Sequence, residues 1–267
     1  MVKILIGTAG FEYHDWIGTF YPKRLDKALH LEYFSQFFNI VEINSTFYNL
    51  PSESMVINWY NRVPENFRFI VKVWQEITHK LGDFEHNSRV IDFFERMRFL
   101  KDKIRAILLQ FPPWFKYSEK YLNLLIQLLS EVPKEYSYII ELRDNSWFDP
   151  EITHNFIDGD NFILGTTYKP GIIPFYLNNQ KSYYIRVIGD RELTIFNRIQ
   201  RDQKIALESL IKSVQKLRES TDINEILIIV NNHFQGFAPE SVNNLKKKFG
   251  LQYNIFTTQR SISDYLK

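Results

Sequence analysis

A charged side chain ends one apolar segment after another along this chain. Glu42 follows Ile40-Val41, and Lys72 follows Phe69-Ile70-Val71. Glu141 and Arg143 close Tyr138-Ile139-Ile140-Glu141-Leu142-Arg143, and Arg186 follows Tyr183-Tyr184-Ile185. Such runs read as buried strands, where a charge is costly unless it is paired. Repeating that placement along the whole length implies one polar site assembled from several strands. Two carboxylates against three cations leave an excess of about one positive charge, which suits a phosphate, carboxylate or sulfate. In that reading Arg143 and Arg186 clamp the anion, and Glu42 or Glu141 moves a proton. A carboxyl among cations is held ionised, which favours a base over an acid. Asn44, Gln110 and Asn231 would bind hydroxyls, with Asn232 as the alternative to Asn231 at its strand end.

Lys72 has a second possible role as a Schiff-base amine. Two arginines would lower its pKa and two glutamates would raise it, and the spacing alone does not decide between them. A structural Lys–Glu bridge is the plainer expectation. Aromatic residues crowd the segments after the strands: Tyr13 and Trp16 after the first, Tyr48 after the second, Trp147 after the fifth. Aromatic faces there could stack on a sugar ring or a base. The competing reading packs them onto a rim. His79 and His233 fall beside strand ends and His14 in the first loop, with no H-x-H or H-x-x-x-H pair among them, so no metal site is expected. No complete Walker, dinucleotide or G-x-S-x-G motif occurs. No motif requires a cofactor, and its identity stays open.

The elements that must position these residues alternate between strand and helix from end to end. The expected strands are Lys3–Ile6, Ile40–Ile43, Arg68–Val73, Arg105–Leu109, Tyr138–Leu142, Phe162–Thr166, Ser182–Val187 and Glu225–Val230. The expected helices cover about Leu29–Phe38, Pro51–Arg62, Ser88–Leu100, Ser118–Leu129, Asp149–Phe156, Asp202–Ser220 and Pro239–Phe249. The sixth unit, with Pro170, Gly171 and Pro174, has no convincing helix. The tail after Tyr253 looks irregular, with a short helix at its end. Eight such units imply an α/β fold of the (β/α)₈ TIM-barrel type, a single domain over residues 1–267, with an open doubly wound sheet as the runner-up. Barrel sites gather at the C-terminal ends of the strands, where the charges above fall.

The chain has 267 residues, 45% of them hydrophobic, enough for one large core. It has no cysteine, which excludes disulfides and thiolate chemistry and fits a cytoplasmic protein. No segment reads as a membrane span or a signal peptide. The net charge is only +2, so bulk charge neither demands nor forbids nucleic acid. Lys246-Lys247-Lys248 reads as a solvated helix face. Nothing in the sequence sets the oligomeric state.

Read together, Gly7-Thr8-Ala9-Gly10-Phe11, Phe20-Tyr21-Pro22, Glu42-Ile43-Asn44-Ser45-Thr46-Phe47-Tyr48 and Gln110-Phe111-Pro112-Pro113 carry a resemblance. So do Lys72 with Ile77-Thr78-His79, Glu141-Leu142-Arg143 with Ser146-Trp147, Tyr184-Ile185-Arg186 with Gly189, and Asn231-Asn232 with Gly236-Phe237-Ala238. In order and over nearly the whole chain they resemble the DUF72 (YecE-like) family. The resemblance implies a TIM-type barrel and no settled reaction. Ile188 stands where a His commonly precedes the Gly after the seventh strand, and Thr166-Thr167 stands near where an Asp often ends the sixth. If those positions carry the family's chemistry, this member is altered. The leading expectation is a hydrolase or lyase for an anionic, phosphorylated or sugar-like small molecule. The alternatives are a nuclease or nucleic-acid binder, and a non-catalytic holder of an anionic ligand.

Overall fold

The computed structural model describes residues 2–83 and 85–256. Among these are eight strands: β1 (Lys3–Ala9), β2 (Ile40–Ile43), β3 (Arg68–Lys72), β4 (Ile104–Gln110), β5 (Tyr138–Glu141), β6 (Phe162–Tyr168), β7 (Ser182–Val187) and β8 (Glu225–Val230). They pair in parallel in sequence order, and β8 returns to β1 to close a barrel. The open-sheet alternative is thereby excluded. Around and above the strands lie α1 (His30–Ser35), α2 (Ser45–Tyr48), α3 (Glu53–Asn61), α4 (Gln75–Thr78) and α5 (His86–Met97). The second half adds α6 (Glu119–Glu131), α7 (Pro150–Thr153), α8 (Lys204–Arg218), α9 (Asn232–Gln235) and α10 (Ala238–Lys248).

The alternation of side chains along each strand builds two separate cores. Leu5, Ile40, Ile70, Leu108, Ile139, Ile163, Tyr184 and Leu227 fill the barrel interior. The residues between them, such as Val41, Phe69, Val71, Ile107, Ile140 and Ile228, face the surrounding helices. Because successive side chains leave opposite faces of a strand, every strand here is apolar on both sides. Local signals start the helices: Ser52 accepts the Met55 amide before α3, and Ser118 accepts the Tyr121 amide before α6.

Most expected elements fall where the sequence puts them, with three strands longer than expected, β4 by one residue at each end. β1 continues through Gly7-Thr8-Ala9, and β6 continues through Thr167-Tyr168. Gly7 reads as a turn residue. It sits instead where a Cβ would run into the backbone of Ile40, so glycine is what lets β1 and β2 approach. The segment from β6 to β7 contains no helix, as the Pro-rich composition implied. Residues 251–256 carry no helix or strand, and the expected terminal helix lies outside the described residues.

Candidate functional site

The interior register continues upward into a polar layer. Two residues beyond Ile40, Ile70, Leu108, Ile139 and Tyr184 come Glu42, Lys72, Gln110, Glu141 and Arg186, all buried. The strand period of two therefore turns all five into the C-terminal mouth. Arg186 is the hub. Its Nη2 donates to Glu42 Oε1 and, at 3.2 Å, to Asn44 Oδ1. Its Nη1 reaches the two Glu141 oxygens at 3.3 and 3.4 Å. The Tyr184 hydroxyl donates to Glu42 Oε2, and Arg143 donates to Glu141 Oε1 from Nε. Both carboxylates are thus filled by donors. Burial works to raise the pKa of Glu141, but Arg143, Arg186 and Lys72 overcome it and hold the group below its usual range. Burial also opposes the charge on Arg186, and Glu42 and Glu141 reverse that, so it stays charged.

Lys72 is arranged differently. Its Nζ donates to Gln110 Oε1 at 2.8 Å and lies 3.5 Å from the centre of the Phe47 ring. Gln110 is oriented for this by donating its own Nε2 to the Phe111 carbonyl at 2.6 Å. Among the described residues no carboxylate pairs with Lys72, because the arginines have taken both. The expected Lys–Glu bridge is therefore absent. Burial, aided by Arg186 and Arg143, outweighs Glu141 and Glu42 and brings the Lys72 pKa down to about 7. The conflict of signs left by the sequence is settled by burial, which sequence spacing does not report.

The remaining expected residues divide in two. Tyr13, Asn44, Tyr48 and His79 border the mouth. The Tyr13 hydroxyl donates to the Ala9 carbonyl at 2.5 Å, and burial, with Glu42, pushes its pKa up to about 12. Tyr48 is exposed, its ring edge-on to Phe47 at 5.1 Å. His79 sits at the end of α4 with Nδ1 3.0 Å from Thr78 Oγ1. Burial, Lys72 and Arg143 bring its pKa down to about 4, so it is neutral near pH 7. Trp16, Trp147 and Asn232 are instead enclosed in the rim. Trp16 donates to Asn232 Oδ1 at 3.2 Å, and the same oxygen accepts the Ala238 amide at 2.9 Å. Trp147 stacks on Phe115 and donates to its carbonyl at 2.6 Å. The two tryptophan rings thus pack the loops onto the rim, and Asn232 holds the chain beneath Trp16. Asn231 accepts the His233 amide at 3.0 Å and so starts α9.

Tyr184 was given no role from the sequence, although it stands two positions before Arg186 on an inward face. Phe47 belongs to the aromatics that follow the second strand. Of the pair Thr166-Thr167, the one at the site is Thr167. It is paired in register with Arg186 and shares its face, whereas Thr166 donates outward to the Phe175 carbonyl at 2.7 Å. The inward position ending β6 is therefore Thr167, one residue later than expected. Its hydroxyl is buried without a partner among the described residues. Ile188 is buried, with its amide donating to the Tyr168 carbonyl. Among the described residues no group of His, Asp and Glu is arranged to hold a metal ion. No described helix is long and apolar enough to cross a membrane.

A closed eight-stranded parallel barrel with a buried ionic layer at its C-terminal mouth defines the class: an α/β barrel of the TIM type. Residues 5–264 match the family described as "Protein of unknown function DUF72", and the chain belongs to that family. It is 25% identical over 280 residues to the UPF0759 protein YunF of Bacillus subtilis, covering 94% of this chain and 96% of the relative. It is 33% identical over 118 residues to the UPF0759 protein YecE of Escherichia coli K12, covering 44% of this chain and 43% of that one. A DUF72 family protein of Thermotoga maritima has the same fold, with a TM-score of 0.77 and 24% identity over 93% of this chain and 99% of its own. One from Enterococcus faecalis superposes with a TM-score of 0.74 at 23% identity, over 94% of this chain and 99% of its own.

Proposed function

We propose that the mouth is the active site of a lyase for a small, anionic, sugar-like substrate bearing a carbonyl, with Lys72 as the reacting amine. The observation that supports this is the division of labour among the buried charges. Each glutamate has its oxygens filled by arginine or tyrosine donors, while the Lys72 amine has only an amide oxygen and an aromatic face. A hydrolase using Glu42 or Glu141 as its base would draw on a carboxylate whose two oxygens both already accept from buried donors, which weakens it as a base. An amine that is about half neutral near pH 7 can attack a carbonyl carbon. The nitrogen lone pair forms the C–N bond and the carbonyl oxygen, protonated, leaves as water. The iminium then takes up the electron pair of the substrate's Cα–Cβ bond as that bond breaks, and the β-hydroxyl gives its proton to a base as its carbon leaves as an aldehyde. Protonation and hydrolysis of the enamine release the second product and the free amine. Neutral His79 beside Lys72 has no imidazolium proton to give near pH 7 and can only accept one. Asn44 and Tyr13 at the edge offer hydrogen bonds to substrate hydroxyls.

Borohydride trapping with a panel of aldose and ketose phosphates and 2-oxo acids tests this. The expected result is a reduced mass adduct that peptide mapping places on Lys72 and that Lys72→Met abolishes. No adduct with any carbonyl substrate, or an adduct that persists in Lys72→Met, removes the reading.

A further inference from the structure

The rim after β5, β6 and β7 carries three cations, of which only Arg143 belongs to the inner ion pairs. Arg143 follows β5, Lys169 follows β6 directly, and Arg191 lies in the segment after β7. The Ile188 amide donates to the Tyr168 carbonyl at 2.9 Å, which sets the last two segments side by side at their start. Lys169 and Gly189 line one cavity of about 360 Å³ there.

Arg191 is flanked in sequence by Asp190 and Glu192, which would ordinarily neutralise it. Arg201 pairs with both, its Nη1 with Asp190 and its Nη2 with Glu192 at 2.7 Å, so the Arg191 guanidinium makes no ion pair of its own, although one of the two carboxylate charges stays uncompensated beside it. Arg191 is left exposed at a φ of +73°, a left-handed conformation that disfavours a residue with a Cβ. Among the described residues neither Lys169 nor Arg191 has an ion-pair partner. Half-buried Lys169 has its pKa lowered by burial and then by Arg143 and Arg191, so every charged group acting on it is a cation. The cations acting on Lys169 oppose its charge, and an anion held against it relieves this.

We propose that Lys169 and Arg191, with Arg143 behind them, form a phosphate-binding position at the edge of the mouth, which rests on the Lys72 reading by holding the anionic group of that substrate. Arg143 already neutralises Glu141, and Asp190 and Glu192 exceed Arg201 by one negative charge, so Lys169 and Arg191 leave a net charge of one positive and supply the free donors. A phosphate monoester, with a charge of about −1.5 to −2 and three acceptor oxygens, matches two such donors. The specificity expected is for phosphorylated over plain carbonyl compounds.

The probe is inorganic phosphate, titrated calorimetrically into the full chain at low ionic strength, where exposed charges are least screened. Wild type is expected to bind, and Lys169→Gln and Arg191→Gln each to weaken binding about tenfold or more. The surface control Lys116→Gln is expected to bind as wild type does. If wild type takes up no phosphate, or both glutamine variants bind it unchanged, the position is not a phosphate site. The two readings separate cleanly. Phosphate binding that depends on Lys169 and Arg191, without any borohydride adduct, keeps this position and removes the lyase. A Lys72 adduct with phosphate binding indifferent to both variants keeps the lyase and removes this position.

Discussion

Lys72 differs from the arginines beside it because an amine gives up its charge when water is removed, and a guanidinium does not. That difference makes a stability prediction. The Lys72 pKa is brought down from 10.5 to about 7 on folding, so between those values the unfolded chain binds more protons than the folded one. Stability therefore rises with pH across that window, and below about pH 7 the buried amine is charged in both states. Lys72→Met lacks this term, so it should gain most over wild type at pH 6, and the gap should narrow towards pH 10. Urea denaturation of both proteins at several pH values measures it, since all other titrations are common to the pair. A gap that does not change with pH would show that the amine is not held off its usual value. At this scale the charges themselves were legible in the sequence, because a charge closing an apolar run has few explanations. Their partners were not. Which carboxylate meets which cation depends on distances across the barrel, between residues as far apart in sequence as Glu42 and Arg186.

Strand β6 shows how an element serves the site by leaving room. Gly165 faces the interior between Ile163 and Thr167, and a Cβ there would lie 3.0 Å from Ile139 Cγ2 and 3.2 Å from Tyr184 Cδ1. The missing side chain is what admits the Tyr184 ring to the middle of the barrel, where its hydroxyl holds Glu42. Gly165→Ala should force that ring aside and cost about 1–3 kcal/mol, the usual range for overpacking a dense core. Denaturant midpoints check the loss. A midpoint equal to that of wild type would mean the ring has slack that the contacts do not show. The sequence located β6 through its β-branched run but ended it one residue short of Thr167, so the inward position was misplaced. It also missed the single-turn helices α2, α4 and α9, which carry Phe47, His79 and His233 over the mouth. Four residues are too few to show a helical period, and these turns are set by tertiary contacts such as Thr46 Oγ1 donating to the Lys72 carbonyl at 2.6 Å.

Across the whole molecule the barrel is closed unevenly. β1 shares six registered pairs with β8, from Lys3 with Glu225 to Thr8 with Val230. With β2 it shares two, Thr8 with Val41 and Ala9 with Glu42, followed by the Gly10 amide donating to the Glu42 carbonyl at 2.8 Å. The β1–β2 seam thus has few backbone hydrogen bonds of its own, and it sits under the ionic layer. Arg186 bridges from β7 to Glu42 on β2 and to Glu141 on β5, so it ties the weak side of the mouth to the strong one. Arg186→Met would leave two buried carboxylates short of donors, and breaking a buried pair from one side costs about 3–5 kcal/mol. The loss should also be local in its dynamics. Native-state hydrogen exchange should show the Gly10 amide and the β2 amides losing protection by more than those of β8, because opening at the seam no longer has to break the bridge. Equal loss on β2 and β8 would mean that the barrel opens only as a unit and that the ionic layer serves the site rather than the seam.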